Sequence, residues 1–212
     1  MSPMREAYLL AAESAAILLA DPAVAAGWTA PSALAEFTVG GLAEHLAQQI
    51  LSVPAALDRS EPTGERVSLL GHYERVTWIG ADLHADVNVA IRQSGETAAA
   101  EGVEALAARV SRALSDLHER LPGQPSTRRV SPPAGPWALV LEDFLVTRMM
   151  EVAVHSDDLA FSVGVPPPEL PACVLDPVLA LLSSLAVRRH GAPAVLRALS
   201  RAERAPATIT AF

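Results

Sequence analysis

The stretch from Phe144 to Ser162, FLVTRMMEVAVHSDDLAFS, constrains the fold most, because it puts ionisable residues where a helix should bury carbon. Trp137, Val140, Leu141, Phe144, Leu145, Val152 and Leu159 recur with helical rather than alternating spacing and form a broad apolar sector. The spacing predicts a core-facing helix. Arg148, Glu151, His155 and Asp158 follow Phe144 at steps of four, three, four and three, so they form one stripe on or beside that sector. Buried charge is costly unless it is paired, hydrogen-bonded or bound to a metal. A carboxylate and an imidazole one turn apart converge well enough for one cation, and helix bundles assemble metal sites from facing helices in this way. The other reading is a Glu151–His155 hydrogen bond with Arg148 as a neighbouring counter-charge, and on this helix alone both stay open.

Other helical stripes precede and follow it. Residues 4–25 carry Leu9, Leu10, Ala16, Ile17 and Leu18 and reach a frayed or kinked end at Asp21-Pro22. The loop GWTAPSALAEFT leads to Thr38, a cap for a helix that begins at Val39. There Val39, Leu42, Leu46, Ile50, Val53 and Leu57 make the core stripe, with His45 at its edge. A single His there is either a satisfied structural residue or a ligand, and Glu151 and His155 are what make it interesting.

After a polar connector, Tyr73, Val76, Leu83, Val87 and Ile91 predict a helix of about six turns that ends at Ser94-Gly95. His72 is expected at its solvated start, and His84 flanks its stripe as a substitute ligand. Val103, Leu106, Val110, Leu114, Leu117 and Leu121 give another amphipathic helix, with His118 outward. Five prolines in residues 122–136 require an extended crossing of the molecule, which suits a bundle that is not simply up and down. A helix from Val174 to Leu185 then ends in Arg188-Arg189-His190-Gly191, so His190 is read as a helix-end residue. A short helix with Arg197, Arg201 and Arg204 and an extended end close the chain.

Half of the 212 residues are hydrophobic but few are aromatic, and the strand-like alternation is nearly absent; the class is all-α. One main domain is expected over residues 1–191, with a short helix and extended tail over 192–212. A net charge of −8 argues against a nucleic-acid backbone or an anionic membrane as partner and leaves small molecules and proteins. All sixteen basic residues are Arg, a skew of lineage rather than chemistry. The single cysteine, Cys173, excludes an internal disulfide framework, suits a reducing cytoplasm and is expected to pack in the interior. Glu13 and Ser14 interrupt what would be the apolar centre of a signal peptide, and no apolar run is long enough to span a bilayer. The expectation is a soluble protein; the high apolar fraction also admits a homodimer.

Two stretches, GWTAPSALAEFTVGGLAEHLA and MMEVAVHSDDLAFSVG, together resemble the two signature regions of the mycothiol-dependent maleylpyruvate isomerase N-terminal domain family, within the DinB-like superfamily. The resemblance covers roughly residues 5–190. It implies a DinB-like four-helix bundle with a long crossover, to which this chain adds C-terminal helices. It also implies a divalent metal, usually zinc, on His45, Glu151 and His155, with mycothiol or a similar low-molecular-weight thiol as cosubstrate.

Three nitrogen and oxygen ligands leave a position on zinc for water or substrate, the arrangement of a catalytic site. A thiol entering that position loses its proton near neutral pH; it then adds to a double bond in the isomerase or attacks an electrophile in related transferases. Both histidines must be neutral to bind, so Asp158, or Asp157, is a candidate to orient an imidazole, and Asp158 lies on the stripe. Arg148 either anchors a substrate carboxylate or balances Glu151. The isomerase carries a C-terminal α/β domain, whereas only about twenty residues follow the last long helix here, so a substrate other than maleylpyruvate is expected. The leading reading is a metal-dependent thiol transferase or isomerase. Its rivals are a noncatalytic bundle that binds a small ligand or protein partner, and a metal-dependent hydrolase that uses bound water.

Overall fold

The computed structural model describes residues 2–212. Its order is α1 (Pro3–Leu19), α2 (Pro22–Ala26), α3 (Val39–Asp58), α4 (Leu69–Tyr73), α5 (Asp86–Ala99), α6 (Val103–Arg120), β1 (Arg129–Val130), β2 (Leu139–Val140), α7 (Leu141–Val163), α8 (Ala172–His190) and α9 (Ala192–Ser200), then a short 3-10 turn at Ala202–Arg204. The protein is all-α and DinB-like. Helices α1, α3, α6 and α7 form the four-helix bundle, α5 packs on α3, and α8 packs on α7 and α1.

The bundle's directions follow from its polar ties. Buried Arg5, near the start of α1, is 2.8 Å from Glu142 at the start of α7, so these two helices run parallel. The same guanidinium donates to the carbonyls of Leu121 and Gln124 just past the end of α6, which therefore runs the opposite way. Arg109 pairs with Glu44 and Arg120 with Asp58, which makes α3 and α6 parallel neighbours. A parallel pair cannot be joined by a tight turn, and residues 59–102, with α4 and α5, carry the chain back to the starting end. The Pro-rich segment after α6 runs across the other end, where β1 pairs antiparallel with β2 and Arg128 donates to the carbonyls of Leu57 and Arg59.

The core is filled by the stripes read from the sequence, with Leu42, Leu46, Ile50, Leu106, Leu117, Leu141, Phe144, Leu145 and Met149 almost fully buried. Removing such side chains from water is worth about 1.5–3 kcal/mol each, the dominant favourable contribution to the fold. Thr38 caps α3 as the sequence predicts, its Oγ1 accepting from the Gly41 N–H at 2.9 Å. Glu96, on α5, then accepts from both the Thr38 N–H and its hydroxyl, tying α5 to the mouth of α3.

Several local expectations are corrected. The six-turn helix expected from Tyr73 is two helices, α4 and α5, separated by turns over residues 74–85. Gly95 does not end a helix but lies buried inside α5, because a Cβ there would meet the Gly41 carbonyl oxygen at 2.7 Å. The first helix stops at Leu19, and Asp21 caps the separate α2. Trp137 precedes α7 rather than belonging to it, since β2 holds Leu139 and Val140 extended. Cys173 is exposed, because it sits in the first turn of α8 beside exposed Ala172 and off the buried stripe of Val174, Val178 and Leu181.

Candidate metal centre

Helix α3 presents His45 from its second turn, and α7 presents Glu151 and His155 from successive turns. The two helices pack directly, so residues far apart in sequence share one site. His155 Nε2 is 3.1 Å from Glu151 Oε2, and His45 Nε2 is 3.8 Å from the same oxygen. One ligand atom from each of the three residues lies within 4.8 Å of the others. On the far side of the imidazole, His155 Nδ1 is 3.0 Å from Asp158 Oδ2, which fixes the ring and leaves Nε2 toward the shared carboxylate. The side chains of His45, Glu151 and His155 retain 20%, 15% and 14% of their exposure, so the cluster is sheltered but reachable from solvent.

The electrostatics of the three differ. Burial lowers the His45 pKa, outweighing the opposing pull of Glu151 at 3.8 Å, so this ring is neutral near pH 7. Burial alone would raise Glu151, but the hydrogen bond with His155 and the nearby imidazole of His45 hold its carboxyl well below the usual range. Burial alone would lower His155, yet hydrogen bonds to Asp158 and Glu151 push it up to about 9. Without a cation the cluster therefore keeps a proton on His155, lying between two carboxylates. A divalent ion fits this donor set by replacing that proton: it would meet one neutral imidazole, one carboxylate, and a second imidazole whose rear nitrogen already has a carboxylate partner.

The surroundings place the remaining candidates. Arg148 does not form a direct ion pair with Glu151; it donates from Nη1 to Gln49 Oε1 and from Nε to Thr147 Oγ1, with its carbon 5.2 Å from the centre of the Phe144 ring. Its charge still reaches Glu151 through space, and there it helps to lower the carboxyl. Asp157 is exposed and faces a shallow cleft with Pro167 and Pro168 rather than the cluster. His84 is exposed in the turns before α5 and sits 3.7 Å from Glu36, so it is no substitute ligand. His118 pairs with Glu13 at 2.8 Å on the outer surface, and His190 meets the Thr210 carbonyl at the end of α8.

His72 reverses its expectation. It is 3% exposed, and its Nδ1 accepts a hydrogen bond from Trp137 Nε1 at 3.0 Å. Burial, with the Arg148 charge adding to it and Glu151 opposing, lowers its pKa to about 4. Sequence reasoning also passed over Gln49 and Tyr8. Gln49 donates to the His45 carbonyl and accepts from Arg148, while its own carbonyl accepts from the Tyr8 hydroxyl at 3.1 Å. The available signal was a polar Gln49 four residues after His45, on the helix face that had to be buried.

Among the described residues no helix is long and apolar enough to cross a membrane. No significant similarity to this chain is found among curated proteins or among solved structures. One family profile, that of the mycothiol maleylpyruvate isomerase N-terminal domain, matches residues 9–160, which runs from within α1 through most of α7 and takes in all three clustered residues. This chain belongs to the mycothiol maleylpyruvate isomerase N-terminal domain family.

Proposed function

We propose that this protein is a metal-dependent thiol transferase or isomerase that holds a divalent cation, zinc in the first instance, on His45, Glu151 and His155 and uses mycothiol or a similar thiol as cosubstrate. The observation that carries the reading is the convergence of two imidazoles and one carboxylate, all within 4.8 Å, with Asp158 behind one imidazole. Family membership supports the thiol, since mycothiol is in the family's own description. Bound there, the cation would supply Lewis acidity that lets a thiol lose its proton near neutral pH and act as a nucleophile toward a small electrophilic substrate.

The chain's own residues have separable roles in this proposal. Asp158 holds the His155 ring by its Nδ1 atom and favours the tautomer that presents Nε2. Gln49 links the carbonyl of His45 to Arg148 and so keeps the guanidinium beside the site without an ion pair to Glu151. Burial of the three ligands on facing helices excludes most water and strengthens the field at the reacting atoms. A cytoplasmic setting, a main domain over residues 1–191 with a tail over 192–212, and a homodimer belong to the same proposal.

The test is metal content per chain for purified protein beside a His155→Ala variant prepared identically, followed by turnover of a haloarene with and without thiol. About one metal per chain in the wild type, lost in the variant, and turnover that needs thiol are expected. A wild type that stays metal-free after reloading at neutral pH defeats the reading. Turnover without thiol would instead mark a hydrolase.

A further inference from the structure

Helices α3 and α7 run antiparallel, because α7 is parallel to α1, α1 opposes α6, and α6 is parallel to α3. A step of four residues along α3 from His45 therefore meets a step of three back along α7 from Glu151. The two residues found there, Gln49 and Arg148, are joined by a hydrogen bond. The guanidinium thus stands in the same seam as the metal centre, one helical turn, about 5 Å, along it. It is half-buried and lies over the Phe144 ring.

What Arg148 touches leaves its charge unanswered. Its Nε and Nη1 donate to uncharged oxygens, those of Thr147 and Gln49. Gln49 is held in turn, its amide nitrogen donating to the His45 carbonyl. The carboxylate of Glu151, three residues on, is turned to His155 and His45 instead. Among the described residues Nη2 of Arg148 makes no hydrogen bond, and it is not sealed from solvent as the Nε atoms of Arg5, Arg109 and Arg128 are. A cation partly withdrawn from water, with neutral partners on one side and a free donor on the other, is incompletely compensated.

We infer that Arg148 binds the carboxylate of the electrophilic substrate, so the substrate class is that of small organic acids. The inference rests on the metal centre and the thiol proposed above. A guanidinium fixed on two of its three nitrogens aims the third, and a planar donor suits a carboxylate better than a point charge does. With a thiolate on the cation and a carboxylate on Arg148, the two anchored atoms lie about one helical turn apart, which limits the substrate to acids whose carboxylate is a few bonds from the carbon attacked. Arg148 would then be a residue of binding and specificity, with no part in moving a proton.

The experiment loads wild type, Arg148→Gln and Arg148→Lys with cobalt and titrates each with mercaptoethanol and with mercaptopropionate, reading the cobalt visible spectrum. Mercaptopropionate carries both halves of the inferred complex, a sulfur for the metal and a carboxylate for Arg148. The wild type should bind it at least roughly tenfold more tightly than mercaptoethanol. Arg148→Gln should keep its cobalt and its affinity for mercaptoethanol but lose that preference, and Arg148→Lys, which keeps the charge without the planar fork, should retain part of it. A wild type without the preference, or a preference that survives in Arg148→Gln, overturns the inference while leaving the metal centre intact. If Arg148→Gln loses cobalt or does not fold, Arg148→Lys decides: a full wild-type preference, or loss of cobalt there too, makes Arg148 a scaffold residue and overturns it. A wild type that takes up no cobalt, or takes it up and binds neither thiol, defeats the reading above and this inference with it.

Discussion

His45 and His155 face each other edge to face across the α3–α7 interface, ring centroids 4.6 Å apart, yet their basicities are driven in opposite directions. Burial lowers the first; Asp158 and Glu151 raise the second to about 9. The difference is one of partners: His155 has a carboxylate on each nitrogen, whereas His45 has only the more distant contact to Glu151.

Metal uptake at pH 7 should therefore release about one proton per ion, because His155 must give up the proton that His45 already lacks. Calorimetric titration in two buffers of different ionisation enthalpy measures it. Release should fade as the pH rises past about 9, where His155 is already neutral. For the metal-free protein the sign is opposite to that of a buried neutral histidine. A folded pKa above the ordinary 6.5 stabilises below that value, and the contribution is lost as pH rises through about 9. Zero proton release at pH 7 would contradict the assignment of His155 as ligand.

Asp158→Asn should weaken the metal by about 10–100-fold while leaving the fold intact, since it removes the carboxylate behind His155 without removing a ligand. Asp157→Asn, at an exposed position beside the cleft, should leave affinity unchanged. Competition against a chelator of known affinity separates the two, and equal losses would remove the positioning role given to Asp158.

His72 predicts a loss of stability in acid. Its folded pKa of about 4 lies below the ordinary 6.5, so the unfolded chain takes up the proton first, and stability falls as pH drops from 6.5 toward 4. The contribution between pH 7 and pH 5 is at most about 2 kcal/mol. In urea denaturation at the two pH values, His72→Gln, which keeps an acceptor for Trp137 without a titrating ring, should show a smaller difference than wild type. An unchanged difference would mean that other groups carry the acid sensitivity.

Gly95→Ala should destabilise although alanine is the better helix former by about 1 kcal/mol. The new Cβ would meet the Gly41 carbonyl oxygen at 2.7 Å, so α5 would have to move off α3, at a cost of about 1–3 kcal/mol as for other overpacked sites. A raised urea midpoint would show that the α3–α5 contact yields easily.

Helical periodicity alone placed the core stripes of α3, α6, α7 and α8, because which face of a helix is buried is written in its own residues at a spacing of three and four. Thr38 is likewise local, since a cap needs only the N–H three residues on. The sequence by itself also put Glu151, His155 and Asp158 on one side of one helix, and the bonds from His155 to both carboxylates follow from that spacing. For His45 the resemblance named a partner that periodicity could not, because nothing in α3 says which helix its edge will face.

The tertiary structure decided the rest. His72 read as a solvated helix start, yet it is buried because Trp137, sixty-five positions later, comes back across the end of the bundle and donates to it. Gly95 read as a helix stop, yet it is a contact surface for a helix more than fifty residues earlier. Gln49 gains meaning only from what stands opposite it, the guanidinium of Arg148. Local spacing determines which residues share a face, but burial, pKa and polar partnership depend on the second face that meets it, and only the folded chain brings the two together.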